Sequence, residues 1–195
     1  MIASLNIGRR FATSTRGVAA IEFAFIVPVL MLLFLASFDA ANAIAVYMKV
    51  RSAAFTLGSI TNQYTTSTNG IQSTDMTAIT GSTAAVLAPY SSTPVVVKIS
   101  QIKATSAGNA TVSWSYSLNG TAYAQGASWT TLPTQFASTN ACNSYPCYLI
   151  FAEVSYKYTP SFGYFVTGPI TLSDNLYVTP RSSVCIQYNN VPGTC

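Results

Sequence analysis

The sequence contains no histidine among its 195 residues, and charged residues make up only 7% of it. The lack of histidine excludes a Ser-His-Asp triad, a Cys-His pair and any histidine-based metal site. Ordinary soluble domains carry about 25% charged residues. Because Ser, Thr, Asn, Gln and Tyr supply most of the polar surface instead, the composition indicates an exported chain rather than a cytosolic one.

The few basic residues are concentrated around one apolar run. Arg9, Arg10 and Arg16 precede the run, and Lys49 and Arg51 follow it. The rest of the chain has no basic patch with interleaved aromatic residues, which is the usual signature of nucleic-acid binding. We therefore expect no nucleic-acid partner.

The apolar run spans residues 18–38 and is interrupted only by Glu22 and Ser37. A bilayer-spanning helix needs about 20 apolar residues, so this run predicts a membrane helix. The arginines upstream predict a cytoplasmic N-terminus and an exported C-terminal part. A cleaved secretory signal is the alternative, since residues 41–43 and 43–45 match A-x-A cleavage sites, but the run is longer than the usual 7–15 residues of such signals.

The helix is predicted to continue beyond the membrane, because residues 40–60 are rich in helix formers. Three residues mark an apolar side of this extension, which is predicted to dock on a globular domain: Ile44, Met48 and Phe55. Lys49 and Arg51 are predicted to turn away from that domain. Either Gly58 or the polar run 61–70 should end the helix.

The remainder predicts an α+β fold, in which an antiparallel sheet packs on the outer half of the helix. Residues 73–87 favour a second, shorter helix. Four alternating stretches predict strands: 95–100, 111–118, 148–158 and 172–178. Asn119-Gly120 predicts a hairpin turn after the second strand, and Pro180 limits the fourth strand to a sheet edge.

Four cysteines lie in the last third of the chain: Cys142, Cys147, Cys185 and Cys195. An even number in an exported domain indicates disulfide bonds, and four cysteines allow three pairings. The pairs Cys142–Cys147 and Cys185–Cys195 are favoured because each closes a short loop. Free thiols or a four-cysteine zinc site fit less well, since no C-x-x-C spacing occurs and no metal ligand set is evident.

Several other side chains are candidates for surface chemistry. Trp129 lies in a long loop, about residues 123–146, and is a candidate for surface contact. Glu153 and Asp174 could form the carboxylate pair of a hydrolase, but no acid-rich motif supports them and a solvated position is favoured. Three tyrosines alternate on one predicted strand and are assigned to the core: Tyr148, Tyr156 and Tyr158. No catalytic role is predicted.

The segment Arg16–Phe23 combines a basic leader, a glycine and an apolar helix with an acid at its fifth position. Gly17 would give a peptidase an extended backbone free of side chains, and cleavage there would create an amine on Val18. A carboxylate near a bilayer costs several kcal/mol or is neutralised. Glu22 becomes useful if it meets the Val18 amine of a neighbouring subunit, because opposite charges within ~4–6 Å favour both charged forms.

This region resembles the TadE-like minor pseudopilins of the tight-adherence (Tad) pilus, within the prepilin superfamily. The similarity runs from Arg16 to Leu30, where the family has R-G-x-A-A-[VI]-E-F-A-x-x-x-P-x-L. Residues 154–160, followed by Arg181, weakly resemble the closing strands of the family. Residues 65–145 resemble no known family.

The resemblance implies cleavage between Gly17 and Val18 by a membrane prepilin peptidase, and roles in assembly for Glu22, Phe23 and Pro28. It also implies a place in the bacterial inner membrane, with other pilins and the Tad assembly platform as partners and no cofactor. The chain is larger than a major Tad pilin, which favours a minor subunit of a type IV pilus that supports surface adhesion.

The expected organisation is a leader (1–17), a transmembrane segment (18–39), a helix extension (40–64) and an exported α+β domain (65–195). The alternative function is a signal-anchored exported adhesin or sensor domain, which would retain the leader and would not depend on Glu22. An exported enzyme is the least favoured reading. Asp39, near the outer end of the apolar run, is expected only to mark the membrane interface.

Overall fold

The computed structural model describes residues 16–64, 70–106, 108–130, 132, 145–163, 168–189, 191 and 194–195. The predicted α+β class is confirmed, and these residues form three helices and five strands. The helices are α1 (Arg16–Thr61), α2 (Ser73–Gly81) and α3 (Thr83–Leu87). The strands are β1 (Val95–Ser106), β2 (Asn109–Leu118), β3 (Ser128–Trp129), β4 (Cys147–Tyr158) and β5 (Ile170–Val178).

Helix α1 is continuous over 46 residues. At 1.5 Å per residue it is about 69 Å long, more than twice the ~30 Å hydrocarbon core of a bilayer. It runs through Pro28 and Gly58 without interruption and ends at Thr61, so the polar run, not Gly58, ends the helix. The helix therefore continues past the apolar run, as predicted, and its last residue is Thr61.

The predicted helix over residues 73–87 is divided into α2 and α3. Asp75 caps the start of α2, where its carboxylate accepts a hydrogen bond of 2.9 Å from the Gln72 backbone N–H. At Ser82 the hydroxyl donates to the Ile79 carbonyl at 2.6 Å. This local side-chain bond competes with regular helix pairing and marks the point where the helix divides.

The strands form one antiparallel sheet in the order β3-β2-β1-β4-β5. β1 and β4 pair without a register shift from Val95↔Tyr156 to Ala104↔Cys147. β5 is an edge strand, as Pro180 predicted. The chain reverses after β2 with Asn119 in a left-handed conformation (φ 57°), yet the next strand pairing begins only at β3, which the sequence did not predict.

The two faces of the sheet bury separate apolar clusters. On the inner face, alternate residues of β4 pack under α1, and Tyr148, Tyr156 and Tyr158 are 9%, 6% and 7% exposed, which confirms their assignment to the core. The cluster on the outer face includes Ile102, Val112, Trp129, Leu149 and Phe151. The sheet thus separates a surface that faces α1 from one that faces away from it.

The C-terminal segment is attached to the sheet by a disulfide and a buried amide. Cys185 and Cys195 are bonded, as predicted. The buried side chain of Gln101 donates to the Thr194 carbonyl at 2.8 Å and accepts from the Ile186 N–H at 2.8 Å. Cys142 lies outside the described residues, so its pairing with Cys147 stays a prediction.

Candidate assembly helix and membrane junction

The first half of α1 is apolar and uncovered. Among the described residues, α1 is the one helix that is long and apolar enough to cross a membrane, and none of its most apolar 18-residue window is buried. Residues 18–38 span about 32 Å at 1.5 Å per residue, which matches a hydrocarbon core of ~30 Å. Such an exposed apolar surface requires a membrane or a protein partner.

The predicted processing and assembly residues all lie on this uncovered half. Gly17 and Val18 are in its first turn, followed by Glu22 and Phe23, and all four are exposed. Within the described part of the chain Glu22 makes no ion pair. Pro28 lies inside α1, which remains helical on both sides of it.

The face of α1 that docks on the sheet is not the predicted one. Ile44, Met48 and Phe55 are 59%, 66% and 64% exposed, so the prediction that they dock is wrong. The buried positions are Val46, Val50, Ala53, Ala54 and Leu57. At 3.6 residues per turn the exposed three lie about 155° around the helix from the middle of the docked face.

Small residues explain which face docks. Ala53 and Ala54 are each 1% exposed beneath the helix. A methyl group at Gly58 would lie 3.0 Å from a Val178 side-chain carbon and 3.3 Å from one of Leu176. Because glycine has no side chain at this position, α1 and β5 approach closely there.

The opposite side of the helix is not covered by the sheet. We call this side, formed by Ile44, Met48 and Phe55, the exposed stripe.

Asp39 holds the globular domain to α1 at the end of the apolar run. It is 8% exposed, and its carboxylate accepts backbone hydrogen bonds from Ser161 at 3.2 Å, Phe162 at 3.0 Å and Gly163 at 2.6 Å. Such bonds satisfy a charge that would otherwise be costly to bury. Asp39 is therefore a structural anchor, and the expectation that it only marks the interface was incomplete.

The segment bound by Asp39 forms one wall of an apolar cavity beside α1. The cavity has a volume of about 420 Å³ and is lined by Leu32, Leu35 and Ala36 of the helix and by Tyr158, Phe162 and Ile170 of the domain. Burial, and secondarily the nearby Asp39 carboxylate, raises the pKa of Tyr158. On the helix side the cavity is lined by residues between 32 and 43, so it lies beside the end of the apolar run.

Lys49 and Arg51 differ in their contacts. The Lys49 ammonium donates to the Ala88 carbonyl at 2.6 Å, just beyond the C-terminus of α3, so it does not turn away from the domain as predicted. Arg51 lies 3.9 Å from the Asp174 carboxylate and is 75% exposed. An exposed pair of this kind contributes little to stability.

The outer face of the sheet carries an aromatic cluster. Trp129 is 7% exposed and its ring meets Phe151 edge-on at 5.0 Å, so the prediction that it makes surface contacts is wrong. The Trp129 N–H donates to the Tyr177 hydroxyl at 3.0 Å. Burial, together with a hydrogen bond to Glu153, raises the pKa of Tyr123 to about 12. Its phenol therefore remains neutral at physiological pH and donates to Glu153 at 3.0 Å.

The two acids that might have formed a hydrolase pair lie on opposite faces of the sheet. Asp174 pairs across the strands with Val154, whose side chain faces α1. Glu153 is the neighbouring residue on β4, and successive side chains on a strand point to opposite faces. These two carboxylates therefore do not converge on one site.

Comparison with known proteins supports the family resemblance seen in the N-terminal segment. Residues 17–56 match the family described as TadE-like protein. This match covers about a fifth of the chain and coincides with the uncovered and docked parts of α1. No curated protein and no solved structure shows significant similarity to the chain. The predicted TadE-like character is confirmed over this helix.

Proposed function

We propose that this protein is a minor pseudopilin of a Tad-type pilus, anchored in the bacterial inner membrane by residues 18–39 and processed after Gly17. The TadE-like helix supports the association with this pilus. The main support for a role in assembly is the exposed stripe, because it continues the uncovered surface of α1 beyond the membrane segment. In this account the helix serves assembly rather than catalysis.

The exposed stripe favours assembly with other helices over a free exported module. In a solitary adhesin or sensor domain, three large apolar side chains on the exported half of the helix would remain exposed to water, which is unfavourable. Each of these side chains stabilises an interface by about 1.5–3 kcal/mol when it is fully buried. Their separations of 4 and 7 residues place them along one line, which suits a neighbouring helix.

Glu22 provides the electrostatic part of the proposed interface. Its carboxylate is exposed and makes no ion pair within the described residues. Once the leader is removed, the Val18 amine of an adjacent subunit would supply the missing positive charge. A pair formed in a low-dielectric helical bundle would also fix the axial register of the subunits.

The proposed assembly role is tested by replacing the exposed stripe with glutamine, which preserves helix propensity. In the native host, the triple variant Ile44→Gln, Met48→Gln, Phe55→Gln should reach the membrane and lose its leader, but sheared pilus yield should fall several-fold. The same fall is expected for Glu22→Ala, which should also be processed normally. The measurement is the amount of pilus recovered by shearing and sedimentation.

A matched control uses Val184→Gln with Val191→Gln, since both valines are exposed and belong to the C-terminal segment rather than to α1. This control should leave pilus yield unchanged. Unchanged yield in the stripe variant, at normal protein level, would remove the support for an assembly helix. It would favour the signal-anchored adhesin or sensor instead.

A further inference from the structure

We propose that the connection between β4 and β5 makes a second membrane contact through its described ends, residues 159–163 and 168–170, where Phe162 and Ile170 touch lipid beside the emerging helix. The contact would set the exported domain directly on the bilayer surface instead of leaving it mobile above the membrane. The inference rests on one part of the proposed function, the membrane anchoring of α1. It does not depend on leader cleavage or on pilus assembly.

Asp39 fixes the height of this connection relative to the helix. If residues 18–38 fill the hydrocarbon core, Asp39 lies at its outer boundary. The backbone N–H groups of Phe162 and Gly163 donate to Asp39 at 3.0 Å and 2.6 Å, so this part of the connection lies at the same level. The Phe162 ring also meets the Phe38 ring edge-on, with the ring centroids 5.9 Å apart.

The chemistry at this height suits lipid. Phe38, Phe162 and Ile170 are 49%, 53% and 39% exposed, and the sequence from Thr159 to Ile170 contains no charged residue. Phenylalanine and isoleucine are among the side chains that favour insertion into a bilayer. A charge-free segment with an exposed phenylalanine and an exposed isoleucine would be unfavourable if it faced water alone.

The cavity beside α1 extends this surface into the membrane segment. Leu32 and Leu35 form its wall on the helix side, and both belong to the run that would face acyl chains. Phe162 and Ile170 form part of the opposite wall. The apolar surface is therefore continuous from helix to domain, and we assign its occupant as lipid acyl chain.

The contact is tested with tryptophan as a reporter in the full chain. Phe162→Trp is reconstituted in vesicles of phosphatidylethanolamine and phosphatidylglycerol whose acyl chains are brominated near the headgroup. Bromine quenches tryptophan only on close contact. The unmodified chain gives the background from Trp114 and Trp129, which are 3% and 7% exposed. Val184→Trp is the matched control, because Val184 is 77% exposed on the C-terminal segment.

We expect quenching at position 162 to exceed that at position 184 several-fold, and Ile170→Trp to follow position 162. Equal quenching at 162 and 184, in protein that floats with the vesicles, would overturn the proposal. Protein that does not float would refute the membrane anchor itself, and the inference would fail with it. An intact near-ultraviolet circular dichroism spectrum verifies that each variant is folded.

Discussion

Asp39 shows how a single side chain can join two parts of a protein that are distant in sequence. Its carboxylate binds three consecutive backbone N–H groups more than 120 residues away. At the end of an apolar run an acid ordinarily marks an interface, and nothing in its neighbours predicts those partners. A contact of this kind depends on the position of the β4–β5 connection, which only the folded sheet determines.

We predict that Asp39→Ala destabilises the domain by about 1–3 kcal/mol, the usual cost of leaving buried hydrogen-bond groups unsatisfied. Thermal unfolding of the full chain in detergent, followed by near-ultraviolet circular dichroism, measures the change. Asp174→Asn is the matched control, because its carboxylate accepts one backbone hydrogen bond, from the adjacent Asn175 at 3.0 Å, and otherwise only lies 3.9 Å from Arg51. Equal effects of the two substitutions would contradict the anchoring role of Asp39.

Trp129 illustrates a different reason for a wrong prediction at the residue scale. It lies at the end of a two-residue strand inside a long irregular segment, so no alternating pattern indicated a buried face. In the fold it packs between Tyr123 and Phe151, at centroid distances of 5.1 Å and 5.0 Å. Burial of a loop residue is determined by what it packs against, and the sequence does not supply that information.

At the scale of the element, α1 divides into an uncovered half and a docked half. Its existence, length and apolar character followed from the sequence, because they depend on local composition. The choice of docked face did not, because both sides of residues 44–57 are apolar. Small residues decide it: Ala53, Ala54 and Gly58 let the sheet approach, whereas Ile44, Met48 and Phe55 are bulkier.

Gly58→Leu should therefore destabilise the packing of α1 on the sheet by about 1–3 kcal/mol, the cost typical of overpacking. A side chain there would meet Val178 and Leu176 within 3.3 Å. Gly81→Leu provides the comparison, since a methyl group at Gly81 has open space within 4 Å. Denaturant unfolding of both variants in the same detergent gives the free energies. A smaller loss for Gly58→Leu than for Gly81→Leu would refute the close approach.

The strands were predicted more reliably than the contacts between elements. β2 alternates apolar and polar residues and β4 does so in its second half, and the positions of both strands agree with the sequence pattern to within two residues at each end. The division of residues 73–87 at Ser82 was missed, because a single hydroxyl that bonds a backbone carbonyl has no periodic signal. The two-residue strand β3 was missed because so short a strand cannot show alternation.

At the scale of the whole molecule, the protein combines a long helix with a domain that packs against only the C-terminal half of that helix. The domain leaves two described surfaces of α1 open: the membrane segment, which includes Glu22, and the exposed stripe. This arrangement suits a subunit that is first held in a membrane by its helix and then packs that helix against other subunits. The disulfide between Cys185 and Cys195 cross-links the C-terminal segment, and an oxidising compartment of the kind expected for an exported domain would preserve it.

The central claim, that the chain is a processed pseudopilin, is tested most directly by the N-terminal sequence of the protein recovered from membranes of its native host. The account predicts a chain that begins at Val18, and a loss of this processing when Gly17 is replaced by a bulky residue. A chain that still carries the residues before Val18, in cells with an active prepilin peptidase, would contradict it.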